Sequence, residues 1–385
     1  MKNLILYLNP IYPSRDHNSN LLLKLAPFMD SNTYAIALSQ TSDNKTLPTK
    51  IDGVSIRYIK PHKLFDKIIF HTIKFIFGQL HADNFSYLIK TYIQSIPFRI
   101  RHKQHAVLST YQLPYPMMTT SIMGRKTKKA LFIMDPRDAM YEPNMTVEDE
   151  KKWFLSAIKQ HDVIFTTKFI RKAMMARGYD AYAKNIVEVS FPMITGFPYK
   201  ATSNNEDKIT LLFAGRIYEG IRSPEFFLKV IAKLDERFRL VFIGQDCDNV
   251  KKYILPETKV EITTRTAIPY GEIMQEMANA DVLINIGNSV PVHLPSKTLE
   301  YINTGKPIVN FYKFDECPTL YCTERYPLCL NISEQEQDID AVSKKFFDFC
   351  INSKGKQVDR DYIENTFRES TPKAIAETIC NELFN

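Results

Sequence analysis

The segment Leu294-Pro-Ser-Lys-Thr-Leu-Glu-Tyr-Ile-Asn-Thr-Gly-Lys-Pro-Ile-Val309 holds the residues best suited to chemistry. Pro295 and Ser296 open a helix whose free N–H groups and positive dipole end make an anion site. Lys297 stands in the first turn, where the dipole disfavours a cation unless an anion is bound. Glu300 follows on the same helical face, one turn on. A carboxylate beside a phosphate site suits a sugar diol, since it accepts two hydroxyl donors. Gly305 closes the helix and Pro307 begins the next strand.

A second segment, Phe213-Ala-Gly-Arg-Ile-Tyr-Glu-Gly-Ile-Arg-Ser-Pro224, runs from a strand into a loop with Gly215, Gly220, Arg216 and Arg222. Guanidinium forks suit phosphate oxygens, and glycines let backbone approach closely. Taken alone, the segment reads equally as a solvated turn.

These segments need strands and helices to hold them, and the chain supplies alternating βαβ units. Strands are expected at 4–8, 34–38, 55–58, 106–109, 130–134, 163–166 and 186–189, with helices at 20–29, 68–77 and 148–160. The polar run 200–208 reads as a linker. The alternation then restarts, with strands at 209–214, 240–243, 259–263, 282–286 and 307–311. Helices are expected at 224–234 (Ser223 as N-cap), 270–280, 296–303, 339–352 and 371–384. The expected fold is α/β, with two Rossmann-like domains facing each other across a cleft. They cover 1–199 and 209–365, and a C-terminal helix within 366–385 is placed to pack back on the first. Ligand groups would come from strand carboxyl ends and helix N-termini.

Composition agrees with a two-domain globular chain: 385 residues, 44% hydrophobic, 24% charged. The six cysteines all lie in the second half without a CxxC pair, which points to reduced thiols in the cytoplasm. The apolar run at Leu4–Leu8 is too short for a signal peptide, and no stretch approaches a membrane span of roughly 18 apolar residues. The net charge of +7 is concentrated locally. Between Arg57 and His105, nine Lys and Arg residues face only Asp66 and Asp83.

Together the two segments resemble the C-terminal domain of GT-B glycosyltransferases, particularly the retaining family 4 (group 1) enzymes. The resemblance runs through Gly215-Arg216, Arg222, Ser296-Lys297, Glu300-Tyr301 and Gly305-Lys306-Pro307. Val241-Phe-Ile-Gly244, Pro269-Tyr-Gly-Glu-Ile273 and Ala280-Asp-Val-Leu283 extend it over residues 209–311. The resemblance implies a nucleotide-diphosphate sugar as donor substrate, with no cofactor and no metal. Arg216 and Arg222 would clamp the diphosphate, Pro295, Ser296 and Lys297 would sit by the phosphates, and Glu300 would hold the ribose. Thr264 and Arg265 would border the base. Fixed cations and a helix dipole would stabilise the leaving diphosphate. Arg222 departs from the family's usual Lys while keeping the charge. Where many members carry a sugar-binding Glu, this chain has Val292: either the donor sugar is unusual, or the adjacent His293, a candidate catalytic group, or a backbone group takes its place.

In the first half, the loop Asn9-Pro-Ile-Tyr-Pro-Ser-Arg-Asp-His-Asn18 replaces the family's Gly-Gly loop and places Asn9 and His17 on the acceptor side. Asp135 and Asp138 follow the strand at 130–134, and either positions a substrate or caps the strand exit as an Asx turn. The basic, aromatic stretch 60–105 reads as a core helix with a solvated face or as a contact with anionic membrane. Nucleic acid is disfavoured for want of a binding motif. The implied reaction moves a sugar to a saccharide or lipid-linked acceptor in surface polysaccharide or glycolipid synthesis, at or near the cytoplasmic membrane face. Its rivals are a GT-B epimerase or hydrolase and a non-catalytic partner subunit. A nicotinamide dehydrogenase is disfavoured by the lack of a GxGxxG after any expected strand.

Overall fold

The computed structural model describes residues 2–8, 17–38, 47–59, 79–111, 119–134, 147–202, 208–217 and 220–385. The chain divides into two compact units, one formed by Met1–Pro192 with Glu369–Asn385, the other by Met193–Arg368. The division thus falls upstream of the polar run 200–208.

The first unit holds strands β1 (Asn3–Leu8), β2 (Asn32–Leu38), β3 (Lys50–Ile51), β4 (Val54–Ile59), β5 (Ala106–Thr110), β6 (Lys128–Ile133), β7 (Val163–Thr166) and β8 (Ile186–Glu188). They pair in the order β3-β4-β2-β1-β5-β6-β7-β8, all parallel except the β3–β4 hairpin. Strands buried on both faces need unbroken apolar runs, and β5 and β7 are buried at every position. Among the described residues, Tyr7, Phe132, Phe165 and Phe191 are the largest fully buried side chains of this unit.

Helix Pro372–Phe384 belongs to this unit, although more than a hundred and seventy residues of the other unit precede it. Thr371 caps it by accepting from the Ala374 N–H, and Pro372 occupies the first turn. Ile375, Ala376, Ile379 and Leu383 are buried, and the helix packs against helix His17–Leu25.

The second unit repeats the plan with β9 (Ile209–Ala214), β10 (Phe238–Ile243), β11 (Glu261–Arg265), β12 (Val282–Ile286), β13 (Ile308–Tyr312) and β14 (Cys329–Ser333). Their order, β11-β10-β9-β12-β13-β14, is wholly parallel and reverses direction between β9 and β12. Such a reversal opens a crevice at the strands' carboxyl ends. Aromatic rings fill the core beneath, with Phe227 and Phe311 centroids 5.0 Å apart. Three in-register asparagines cross this sheet: Asn285 donates to Asn310 at 2.6 Å, and Asn310 donates to Asn331 at 2.8 Å.

Several elements differ from their expected bounds. The expected helix at 20–29 is helix His17–Leu25 followed by a 3-10 turn, Ala26–Phe28. The helix expected at 224–234 spans Glu225–Ile231, and its N-cap is Pro224 rather than Ser223. Ser223 Oγ instead accepts from the Glu225 N–H at 3.3 Å, a local turn ahead of the helix. The strand expected at 259–263 lies two residues later, at β11. The expected helix at 68–77 lies outside the described residues. A long helix that the sequence reading did not expect, Gln79–Arg101, accommodates Pro97 in its interior.

Candidate functional site

At the crevice, β9 and β12 pair only over Val282↔Leu211 and Leu283↔Leu212, so Ala214 at the end of β9 has left the β12 ladder. Its backbone groups still need partners. The Tyr301 hydroxyl supplies both, accepting from the Ala214 N–H at 2.7 Å and donating to the Ala214 carbonyl at 3.2 Å. Tyr301 is fully buried, and burial pushes its phenol well above the usual range, so the donated proton stays in place. The hydroxyl therefore ties helix Ser296–Asn303 to β9.

That helix begins at Pro295, which has extended backbone and no side-chain acceptor, so the first-turn N–H groups have no side-chain cap. The end is thus suited to an anion. Lys297 forms an ion pair with Glu300 three residues on, with the lysine 29% exposed and the carboxylate only 7%. Tyr270, at the start of helix Tyr270–Asn279, lies close by. Desolvation first, then the charge of Glu300, pushes its phenol up, although half of the residue's surface is exposed.

The loop after β9 is stitched to the loop after β12. Arg222 is 8% exposed; its Nε donates to Asn288 Oδ1 at 2.9 Å, and its guanidinium also donates to the Arg216 carbonyl at 3.2 Å. Because Asn288 Oδ1 accepts from arginine, its amide nitrogen faces His293 and donates to Nδ1 at 2.6 Å. This fixes the tautomer of neutral His293, which carries its proton on Nε2. Ser289 reinforces the seam through its N–H to the Ile221 carbonyl and its Oγ to the Gly220 carbonyl.

Arg216 is more exposed and pairs with Asp246 at 2.6 Å. Gly215 and Gly244 let the exits of β9 and β10 meet: Gly244 has φ +146°, and a Cβ there would run into the Gly215 carbonyl. Thr264 and Arg265 end β11, the edge strand, where they engage Asp248 at 2.7 Å and Glu276 at 2.6 Å. In the first unit, His17 is the first residue of the helix that follows β1. Asn9, Asp135 and Asp138 lie outside the described residues.

Arg222, His293, Ser296, Lys297 and Glu300 all stand on elements flanking the β9–β12 opening. Sequence reading passed over Asn288 and Asp246, which lie in no recognised motif, and quoted Tyr270 within a matching segment without giving it a role. It quoted Tyr301 within a motif without giving it a role.

Residues 208–320 match the family of group 1 glycosyl transferases. No curated protein matches the chain in sequence. Among solved structures, sucrose-phosphate synthase from Thermosynechococcus elongatus is similar with a TM-score of 0.66 at 10% identity, over 99% of this chain and 98% of that one. HepE from Anabaena, solved in complex with UDP, gives 0.63 at 10% identity over 100% and 99%. The lipopolysaccharide outer core galactosyltransferase WaaB gives 0.60 at 13% identity over 100% and 99%. The two parallel sheets are therefore those of the GT-B glycosyltransferase fold, and the unit that carries Arg222, Lys297 and Glu300 contains a group 1 glycosyltransferase domain.

Proposed function

We propose that this chain is a retaining family 4 enzyme that moves a hexosyl group from a nucleotide-diphosphate sugar to a saccharide or lipid-linked acceptor, in surface polysaccharide or glycolipid synthesis. The observation that carries the reading is Lys297 in the first turn of an uncapped helix, paired with a nearly buried Glu300. Without a ligand, the carboxylate offsets a cation that the helix dipole disfavours. With a donor bound, the ammonium turns to phosphate and Glu300 accepts the ribose hydroxyls.

Arg222 holds a second fixed cation near the same opening, and Arg216 a third that must first leave Asp246. The negative charge growing on the leaving diphosphate would meet groups already in position, which lowers the barrier without reorganisation and without a metal or cofactor. Pro295 and Ser296 border the phosphates, Gly215 gives them backbone access, and Thr264 and Arg265 border the base. His293 presents Nε2–H as a hydrogen-bond donor to a sugar oxygen in place of the family's carboxylate. Asn9 and His17 are the acceptor-side groups in this reading, and Asp135 and Asp138 the catalytic candidates that position the acceptor or the donor sugar.

No helix among the described residues is long and apolar enough to cross a membrane. The proposed setting is the cytoplasm, with peripheral contact to anionic lipid through the stretch 60–105. Replacing Lys67 and Lys74 together should lower binding to anionic vesicles, and unchanged binding would remove that contact from the proposal.

The deciding experiment is a thermal-shift screen of UDP, GDP, CDP, ADP and dTDP. A ligand at about 100 times its Kd stabilises the native state by about 2.7 kcal/mol. Stabilisation by one diphosphate, lost in Lys297→Ala, supports the donor site and names the base. Silence from all five would sink the assignment. Product analysis without an acceptor separates transfer from epimerisation or hydrolysis.

A further inference from the structure

A pocket of about 520 Å³ opens in the first unit, walled by Tyr92, Ile96, Arg99, Ile100, Lys103 and Gln104, with His105 and Thr127 completing it. That size falls within the range of small-molecule sites. His105 immediately precedes β5 and Thr127 immediately precedes β6, so the pocket lies at the amino-terminal edge of the sheet. Substrates of open α/β sheets bind at the carboxyl edge. The pocket is a separate place.

Its polar groups are poorly satisfied. Arg99 Nε and Gln104 Oε1 are buried, and neither has a hydrogen-bond partner among the described residues. The Arg99 guanidinium lies over the Tyr92 ring, 4.4 Å from its centroid. Among the described residues it donates to the Met123 thioether and, at 3.5 Å, to the Tyr92 carbonyl. Among the described residues no carboxylate pairs with Arg99 or Lys103. Between Asp83 and Asp135 the sequence contains no acidic residue at all. The His105 Nδ1 accepts from the Asn3 N–H at 3.1 Å, which leaves the neutral ring a donor at Nε2.

Helix Gln79–Arg101 ends here, and cations near a helix C-terminus are expected from the dipole alone. That accounts for the charges and not for the buried atoms without partners. The carbonyls of Phe98, Arg99 and Ile100 accept from the N–H groups of His102, Gln104 and Lys103, so the last turn presents less bare negative charge to an incoming anion. Ile96 and the 72% exposed Ile100 add an apolar wall.

We propose that this pocket is a second binding site, for the phosphate of a phosphate ester that carries an apolar portion. Arg99, Lys103 and His105 hold the phosphate, Gln104 Oε1 accepts from a hydroxyl on the ligand, and Tyr92, Ile96 and Ile100 cover the apolar part. Most of the pocket's residues fall inside the stretch 60–105 for which lipid contact is proposed above, but the inference rests neither on sugar transfer nor on Lys67 and Lys74.

The test titrates the full chain with hexyl phosphate by calorimetry and sediments it with phosphatidylglycerol or phosphatidylcholine vesicles at physiological salt. The variants are Arg99→Gln, Lys103→Asn and the off-pocket control Lys126→Ala. Lys103 has φ +41°, and asparagine tolerates that left-handed backbone, so Lys103→Asn guards against a folding defect in Arg99→Gln. Each pocket substitution should weaken binding about five-fold, the equivalent of about 1 kcal/mol per cation, with little effect from the control. Uptake of hexyl phosphate alone identifies a soluble ester, and binding to phosphatidylglycerol vesicles alone a lipid headgroup. Binding to neither overturns the proposal. So does binding that both pocket variants retain, or that Lys126→Ala weakens equally.

Discussion

Replacing Tyr301 with phenylalanine removes one oxygen and leaves the ring's packing in place, so no cavity forms. What it exposes is the backbone of Ala214, whose N–H and carbonyl both depend on that hydroxyl where β9 has parted from β12. A buried donor or acceptor left unsatisfied costs about 1–3 kcal/mol. The carbonyl is the more tolerant partner, so about 2 kcal/mol is the expected total. A unit the size of Met193–Arg368 loses about 2–4 °C of Tm per kcal/mol, which gives a fall of about 4–8 °C. Differential scanning calorimetry should show this on the transition shifted by whichever nucleoside diphosphate the screen identifies. Affinity for that diphosphate should weaken in parallel, since the turn that carries Lys297 loses its tether to β9. A variant melting within about 1 °C of the parent, with full affinity for that diphosphate, would refute the reasoning.

Three further outcomes follow from the same geometry. Lys297→Ala strands a nearly buried carboxylate whereas Glu300→Gln does not, so thermal melts without ligand should fall further for Lys297→Ala, while both variants lose binding of the diphosphate that the screen identifies. Gly244→Ala forces a Cβ against the Gly215 carbonyl at φ +146°, and should yield little folded protein by circular dichroism; a normal melt would contradict the close approach. His161 is buried, with Nδ1–H donating to the Ala157 carbonyl at 2.7 Å and Nε2 accepting from Thr120 at 2.8 Å. Burial pushes its pKa down to about 4 from 6.5, so the unfolded chain takes the proton more readily than the folded one. Stability is full above about pH 6.5 and falls by about 3 kcal/mol as pH drops to about 4. Urea melts across that range should show it, and an NMR-titrated His161 pKa above 6 would contradict it.

The sequence was most legible where burial is symmetric. Strands β9 and β12 and helix Ser296–Asn303 lie at their expected bounds, because buried parallel strands read as continuous apolar runs between turn residues. Strand β11 was misplaced by two residues: it is an edge strand whose alternate residues are exposed, and it carries no apolar run to find. Helix Gln79–Arg101 was missed because Pro97 reads as a break, and β14 because Cys329-Leu-Asn-Ile-Ser333 mixes polar and apolar residues on a sheet edge. Within the site, residue types were readable and partnerships were not. Arg222 and Asn288 stand 66 positions apart, Ala214 and Tyr301 87 apart, and no local spacing encodes either pair. Nor does a local pattern disclose that three asparagines in separate strands fall into one row.

The return of helix Pro372–Phe384 to the first unit has a consequence for biosynthesis. Met193–Arg368 is one continuous stretch of chain and can close its core as soon as it is made. The earlier stretch, Met1–Pro192, cannot, since the apolar face of helix His17–Leu25 waits for Ile375, Ala376 and Ile379. At about 5–20 residues per second, translation of the intervening stretch takes about 10–35 s, and for that interval the surface lies bare. The half made first is thus completed last, and during synthesis it is the half that a holdase chaperone would shield.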